Sequence, residues 1–349
     1  MNKDPFEIYL RETEPEKRDK GYAWYTAIGL QAVDGLTTSD YLIQTAKRNI
    51  DGEISIEKAN ELIHSYYQEN PINSKDERTE EADKVSARIA QILSEKSFSF
   101  SPAQYLSIHK RLFEGIYAHA GMMRDFNITK KEWVLDGDTV LYGGATELKA
   151  TLEYDLDREK MFSYKNLTMD EIISHLAIFV AGLWQIHVFA EGNTRTTAVF
   201  FIKYLRTLGF NAQNDIFAEN AWYFRNALVR ANYSNLKKNV HETTQYLEKF
   251  LRNLLLEEQN ELHNREMHIS GLFEIPKCNE KVKDCTLDCT LDEKRVLTIL
   301  KDCPQITQIQ LAKEIGKSVR TVKNITVSLE KKGLIERVNG KRFGHWKVK

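Results

Sequence analysis

Nine consecutive residues, His187-Val188-Phe189-Ala190-Glu191-Gly192-Asn193-Thr194-Arg195, gather an imidazole, a carboxylate, an amide and a guanidinium around one glycine. His187 is the side chain of this set that can take up a proton near neutral pH. Glu191 is a hard oxygen ligand suited to a Mg2+ ion that bridges phosphates. A Gly-Asn pair opening a helix turns free backbone N–H groups and the positive end of the helix dipole toward an anion. Arg195, one turn into that helix, can add a bidentate clamp on phosphate oxygens. A base, a metal carboxylate and an anion cradle are the parts of a phosphate-transfer site.

Two helices must hold this turn. Upstream, Thr168 and Glu171 form a capping box, and apolar residues recur at Ile172, Leu176, Phe179 and Leu183, so 167–186 reads as a helix ending at the histidine. Downstream, 197–208 is again apolar and helical, stopped by Gly209.

The stretch resembles the Fic motif, His-x-Phe-x-(Asp/Glu)-Gly-Asn-(Gly/x)-Arg, and all six specified positions agree. The resemblance implies a helical Fic-fold core and transfer of AMP from ATP to a Ser, Thr or Tyr hydroxyl of a target protein. It makes His187 the general base, Glu191 the Mg2+ ligand, and Gly192, Asn193, Thr194 and Arg195 the phosphate-binding residues, with Phe189 packing inward. Three positions depart from the pattern: Val188 replaces the usual Pro, Thr194 the commoner Gly, and Ala198 a second Arg that usually meets the γ-phosphate and an inhibitory Glu. Ser65, Glu69 and Asn70 match the (Ser/Thr)-x-x-x-Glu-(Gly/Asn) motif of the family's inhibitory helix, with Ser65 and Glu69 on one helical face.

Ahead of the motif, 41–49 and 56–68 read as helices, 73–81 as a charged linker, and 87–95 and 102–118 as further helices. Asp136-Gly137, flanked by apolar runs, predicts a β-hairpin. It resembles the Fic flap, whose Val134, Leu135, Thr139, Val140, Leu141 and Tyr142 would dock a target segment as an added strand. A plain connecting hairpin is the alternative. Residues 148–158 precede the motif as a helix; beyond it, 215–246 continues helical with Tyr223, Leu228 and Tyr233 available to the nucleotide pocket, and 248–266 reads as a polar connector helix.

The last segment differs in charge. Residues 291–349 hold 14 Lys/Arg and 6 Asp/Glu, +8, leaving −9 on the rest of a chain whose net charge is −1. A basic module on an acidic body is a nucleic-acid-binding pattern. Two short helices joined by a tight turn, then an Asn339-Gly340 hairpin, resemble a winged helix-turn-helix. Arg320, Thr321, Lys323 and Asn324 are its candidate DNA contacts on the third helix, with Lys341 and Arg342 at the wing tip; protein contact or dimerisation is the other use.

The expectation is a mainly α protein in four parts: an N-terminal helical segment (1–75), a Fic core with hairpin flap (76–270), a linker (271–290) and a winged helix (291–349). Cofactors would be ATP and Mg2+. Partners would be a hydroxyl-bearing protein, with DNA and a second copy left open. A DNA-binding regulator with a silent Fic site, and another phosphate transfer from the same pocket, are the rival functions. Four cysteines near one junction (Cys278, Cys285, Cys289, Cys303) have no zinc-ribbon spacing and read as reduced thiols. No run approaches 18 consecutive apolar residues and no signal core opens the chain, so a cytoplasmic protein without membrane contact is expected.

Overall fold

The computed structural model describes residues 6, 9, 14–69, 77–212, 216–271, 296–297, 299–301, 304, 306–315, 317–338 and 345–348. Asn70, the four cysteines, Lys341 and Arg342 lie outside the described residues, as does the side chain of Arg320. The chain divides into two compact units, Met1–Ile275 and Pro276–Lys349.

The first unit opens with α1 (Pro15–Gly29), a 3-10 turn (Leu30–Asp34), α2 (Asp40–Ile50), α3 (Ile56–Glu69) and α4 (Glu77–Ser94). Helix α4 begins within the stretch expected to be a linker. Its charged residues Glu77, Arg78, Glu80 and Lys84 are good helix formers, and Ala82, Val85, Ala87 and Ile89 are buried beneath them. Helix α4 packs on both α1 and α3, and one hydrophobic cluster joins Trp24, Ile63, Ile89, Leu176 and Phe200. The expected boundary at residue 75 is therefore no break in the core.

Next come α5 (Pro102–Phe113), α6 (Leu148–Met161), α7 (Met169–Ile186) and α8 (Asn193–Thr207). The predicted capping box is formed: the Thr168 hydroxyl accepts from the Glu171 N–H, and the Glu171 carboxylate accepts from the Thr168 N–H at 2.8 Å. Helix α7 is long and apolar enough to cross a membrane, but half of it is buried inside the unit, against α6, α8 and neighbouring helices. Its composition is that of a core helix.

The stretch 215–246 is broken, not continuous. Helices α9 (Ile216–Glu219) and α10 (Ala221–Ala231) precede a turn with Asn239 at φ 49°, and then α11 (Gln245–Leu256). Helix α11 is a core element: Leu247, Phe250, Leu251 and Leu254 are buried. It stops at Glu257, φ 56°, so the predicted polar helix to 266 is not made; only the short α12 (Asn264–Met267) follows.

Asp136 and Gly137 both adopt positive φ (57° and 83°), as a type I′ turn requires, but the flanking residues do not pair into strands. Trp133–Leu135 coil into a 3-10 turn because Val134 and Leu135 are fully buried, while the Glu132 side chain is drawn to Arg225. The flap is an irregular loop in which Val140 and Tyr142 point inward and Leu141 is exposed.

The second unit contains α13 (Gln308–Ile315), α14 (Val319–Lys331) and an antiparallel pair, β1 (Ile335–Val338) with β2 (His345–Val348), in register Ile335 opposite Val348 and Val338 opposite His345. Val296, Leu300, Leu311, Val322, Leu329, Ile335 and Trp346 make its separate core. Among the described residues the protein is mainly helical with one small sheet.

Candidate active site

The turn between α7 and α8 and the first residues of α8 hold the nine motif residues. His187 terminates α7 in the left-handed conformation (φ 51°, ψ 58°), which is costly for a residue with a Cβ and persists only where neighbours enforce it. The enforcing residue is Arg124. Its buried guanidinium donates to the carbonyls of His187 (2.7 Å) and Phe126 (2.6 Å) and to Gly143, while its backbone N–H donates to the Val188 carbonyl. One side chain thus ties the 121–128 loop, the end of the flap and the motif together.

The His187 ring is buried between Tyr142 (centroids 4.2 Å apart) and Trp184 (5.2 Å), and neither ring nitrogen has a hydrogen-bond partner. Burial first, then the positive charge of Lys130, pushes its pKa well below the usual value, with Arg124 and Arg225 adding to the effect. The neutral imidazole keeps an acceptor nitrogen, while the burial and positive charge that hold it neutral also weaken it as a base.

Asn193 closes the turn on itself. Its Oδ1 accepts from the Phe189 N–H (2.9 Å) and its Nδ2 donates to the Phe189 carbonyl (2.7 Å). The Phe189 ring stacks on His109 at 3.6 Å. The Gly121 N–H donates to His109 Nδ1 (2.8 Å), so Nε2 carries the proton and donates to the Glu191 carbonyl (3.0 Å). Burial holds the pKa of His109 down at about 4, which keeps this neutral tautomer. At Gly192, φ is 76° and an added Cβ would lie 2.4 Å from the Phe113 ring, so only glycine fits.

The cradle is made of backbone alone. No side chain caps the N-terminus of α8, which leaves its first N–H groups for an anion. The Thr194 hydroxyl accepts from the Trp184 indole (3.0 Å). Arg195, expected to clamp phosphates, instead turns inward with its side chain 1% exposed. Its guanidinium meets Asp34 (2.9 Å), Glu81 (2.6 Å) and Gln31 (3.0 Å), lies near the Tyr117 hydroxyl, and sits over the Phe113 ring.

Asp34 and Glu81 are thus the carboxylates at the motif arginine. Ser65 and Glu69 are exposed on α3, which packs on α2 and α4. Asp34, Glu81, His109, Arg124 and Lys130 went unremarked as site residues in the sequence. They lie 61 to 161 positions away from their motif partners in chain terms, and no spacing pattern announces such pairs.

Glu191 is exposed, and its carboxylate meets the Lys130 ammonium at 3.0 Å. Among the described residues no cluster of three or more His, Cys, Asp or Glu side chains could cage a metal. A single exposed carboxylate beside an anion cradle does fit Mg2+, which keeps several waters and takes its remaining ligands from substrate phosphates. Tyr223 is buried against Phe250, and the Tyr233 hydroxyl donates to Asp138 (2.6 Å); neither side chain is free to stack on a base as placed.

In the second unit Lys323 and Asn324 are exposed on α14. Thr321 is occupied at the helix start, where its N–H and hydroxyl both meet the Ser318 hydroxyl.

Residues 99–205 match the Fic/DOC family, and residues 293–336 match the winged helix-turn-helix DNA-binding family. No curated protein matches the chain. Among solved structures it is similar to the N-terminal Fic domain of the effector Bep8 from Bartonella sp. 1-1C, with 18% identity over 54% of this chain and 88% of that one, at TM-score 0.42. A Fic family protein from Desulfovibrio desulfuricans G20 aligns over 99% of this chain and 91% of its own, with 14% identity and TM-score 0.45. The chain carries a Fic/DOC domain and, C-terminal to it, a winged helix-turn-helix.

Proposed function

We propose that this Fic/DOC domain is a protein adenylyltransferase. The observation that carries the reading is His187: a buried imidazole without a partner on either nitrogen, four residues from an exposed carboxylate and five from an uncapped helix N-terminus. A target hydroxyl attacks the α-phosphorus of ATP while His187 takes its proton. The new bond is oxygen to α-phosphorus; the bond that breaks joins the α-phosphorus to the bridging oxygen, and pyrophosphate leaves. The backbone N–H groups at the start of α8 stabilise charge on the phosphoryl oxygens. Mg2+ held by Glu191 would neutralise phosphate charge. The exposed backbone around Leu141 is the edge along which a target segment would lie.

Self-inhibition belongs to the same reading, with different residues from those of the sequence motif. Asp34 and Glu81 hold Arg195 away from any nucleotide, so the 3-10 turn at Leu30–Asp34 and the start of α4 act as the restraint. Intact mass spectrometry of a target incubated with ATP should show an added adenylate, more of it with Asp34→Ala than with wild type. An added phosphate instead would replace this reading with a kinase.

The winged helix-turn-helix supports a second role, DNA binding in the cytoplasm. Its match to a DNA-binding family and the exposed Lys323 and Asn324 on α14 favour it.

A further inference from the structure

Three cations act electrostatically on His187: Lys130, Arg124 and Arg225. Two are fully engaged by the fold. Arg124 is buried among backbone carbonyls, and Arg225 makes a bidentate pair with the buried Glu132 (2.7 and 3.1 Å). Arg195 is closed in by Asp34 and Glu81, and the next positions of α8, Thr196, Thr197 and Ala198, are buried and uncharged. A triphosphate arriving at the start of α8 would therefore meet no cation from that helix.

Lys130 differs from the others. Its side chain is 27% exposed and that of its partner, Glu191, is 56% exposed. Such a pair is worth little and opens readily. Its backbone is fixed, since the Lys130 N–H donates to the Thr139 hydroxyl at 3.2 Å. On the reading that Glu191 serves Mg2+, the metal and the ammonium compete for one carboxylate, and the metal's arrival releases the ammonium beside the cradle.

We infer that Lys130 is a substrate-binding residue: a flap-borne cation that guards Glu191 in the empty site and moves onto the nucleotide's phosphates when Glu191 takes the metal. This rests on the nucleotide-transfer reading of the site.

The test is calorimetric binding of ATP with Mg2+, and separately of adenosine, to the full chain as wild type, Lys130→Met and Lys130→Arg. Losing one charge-assisted contact should weaken ATP binding about tenfold in Lys130→Met. Adenosine affinity should stay unchanged, and Lys130→Arg should bind ATP within a few-fold of wild type. Equal ATP affinity in wild type and Lys130→Met would overturn the proposal, as would a parallel loss for adenosine, which marks a structural role. If wild type binds neither ligand, the nucleotide reading itself fails and the proposal falls with it.

Discussion

Acidification is a direct probe of the motif's scaffold, because His109 must stay neutral to hold it. Its Nδ1 accepts from Gly121 and its Nε2 donates to Glu191; protonating Nδ1 turns an acceptor into a donor facing a donor. The pKa of His109 is held at about 4 by burial, against about 6.5 in an unfolded chain. The folded value is the lower one, so the unfolded state binds more protons between these limits, and stability falls as pH drops through that window. At pH 5 the difference amounts to about 2 kcal/mol, approaching about 3 kcal/mol below pH 4. Urea unfolding at pH 7 and pH 5, for wild type and His109→Phe, isolates the contribution. The substitution lowers stability at pH 7, since it strands the Gly121 N–H and the Glu191 carbonyl, but the loss between pH 7 and 5 should be about 2 kcal/mol smaller than in wild type. An identical pH dependence in the two proteins would refute the assignment of His109 as a buried neutral scaffold.

Further outcomes follow from the same geometry. Gly192→Ala forces a Cβ into Phe113 at positive φ and should cost about 1–3 kcal/mol together with nearly all transfer activity, read from a thermal melt and an activity assay. Asp34→Ala should raise transfer while lowering the melting temperature, because it loosens the hold on Arg195 but leaves a buried guanidinium less well paired; lower activity would contradict the restraint. With His187 held neutral, activity should remain flat as pH falls from 8 to 6, without the decline an ordinary histidine base would give. In the second unit, Lys323→Ala should reduce the slope of log affinity for DNA against log salt by about one, measured by fluorescence anisotropy.

What the sequence made legible was local. The capping box at Thr168 and Glu171, the two motif helices and the antiparallel pairing of Ile335–Val338 with His345–Val348 rest on short-range spacing, and all are formed; Phe189 packs inward as the resemblance implies. What it concealed depends on distant partners. Asp136-Gly137 turns as its residue types require, yet no hairpin grows from it, because Val134 and Leu135 gain more by burial and Glu132 by pairing with Arg225. Ser65 and Glu69 fit an inhibitory pattern but stand exposed, whereas Asp34, at the end of the 3-10 turn before Gly35, reaches Arg195. The motif side chains themselves are the sharpest case. The resemblance assigned Asn193, Thr194 and Arg195 to phosphates; as placed, their side chains meet Phe189, Trp184 and Glu81, and the start of α8 offers its backbone N–H groups.

The central claim is that His187 serves transfer of the α-phosphoryl group. Wild type and His187→Ala would each be incubated with a target mixture, Mg2+, and ATP labelled at either the α- or the γ-phosphate. The account predicts protein-bound label from the α-position alone, present with wild type and lost with His187→Ala. Label arriving from the γ-position, or undiminished α-label with His187→Ala, would contradict it.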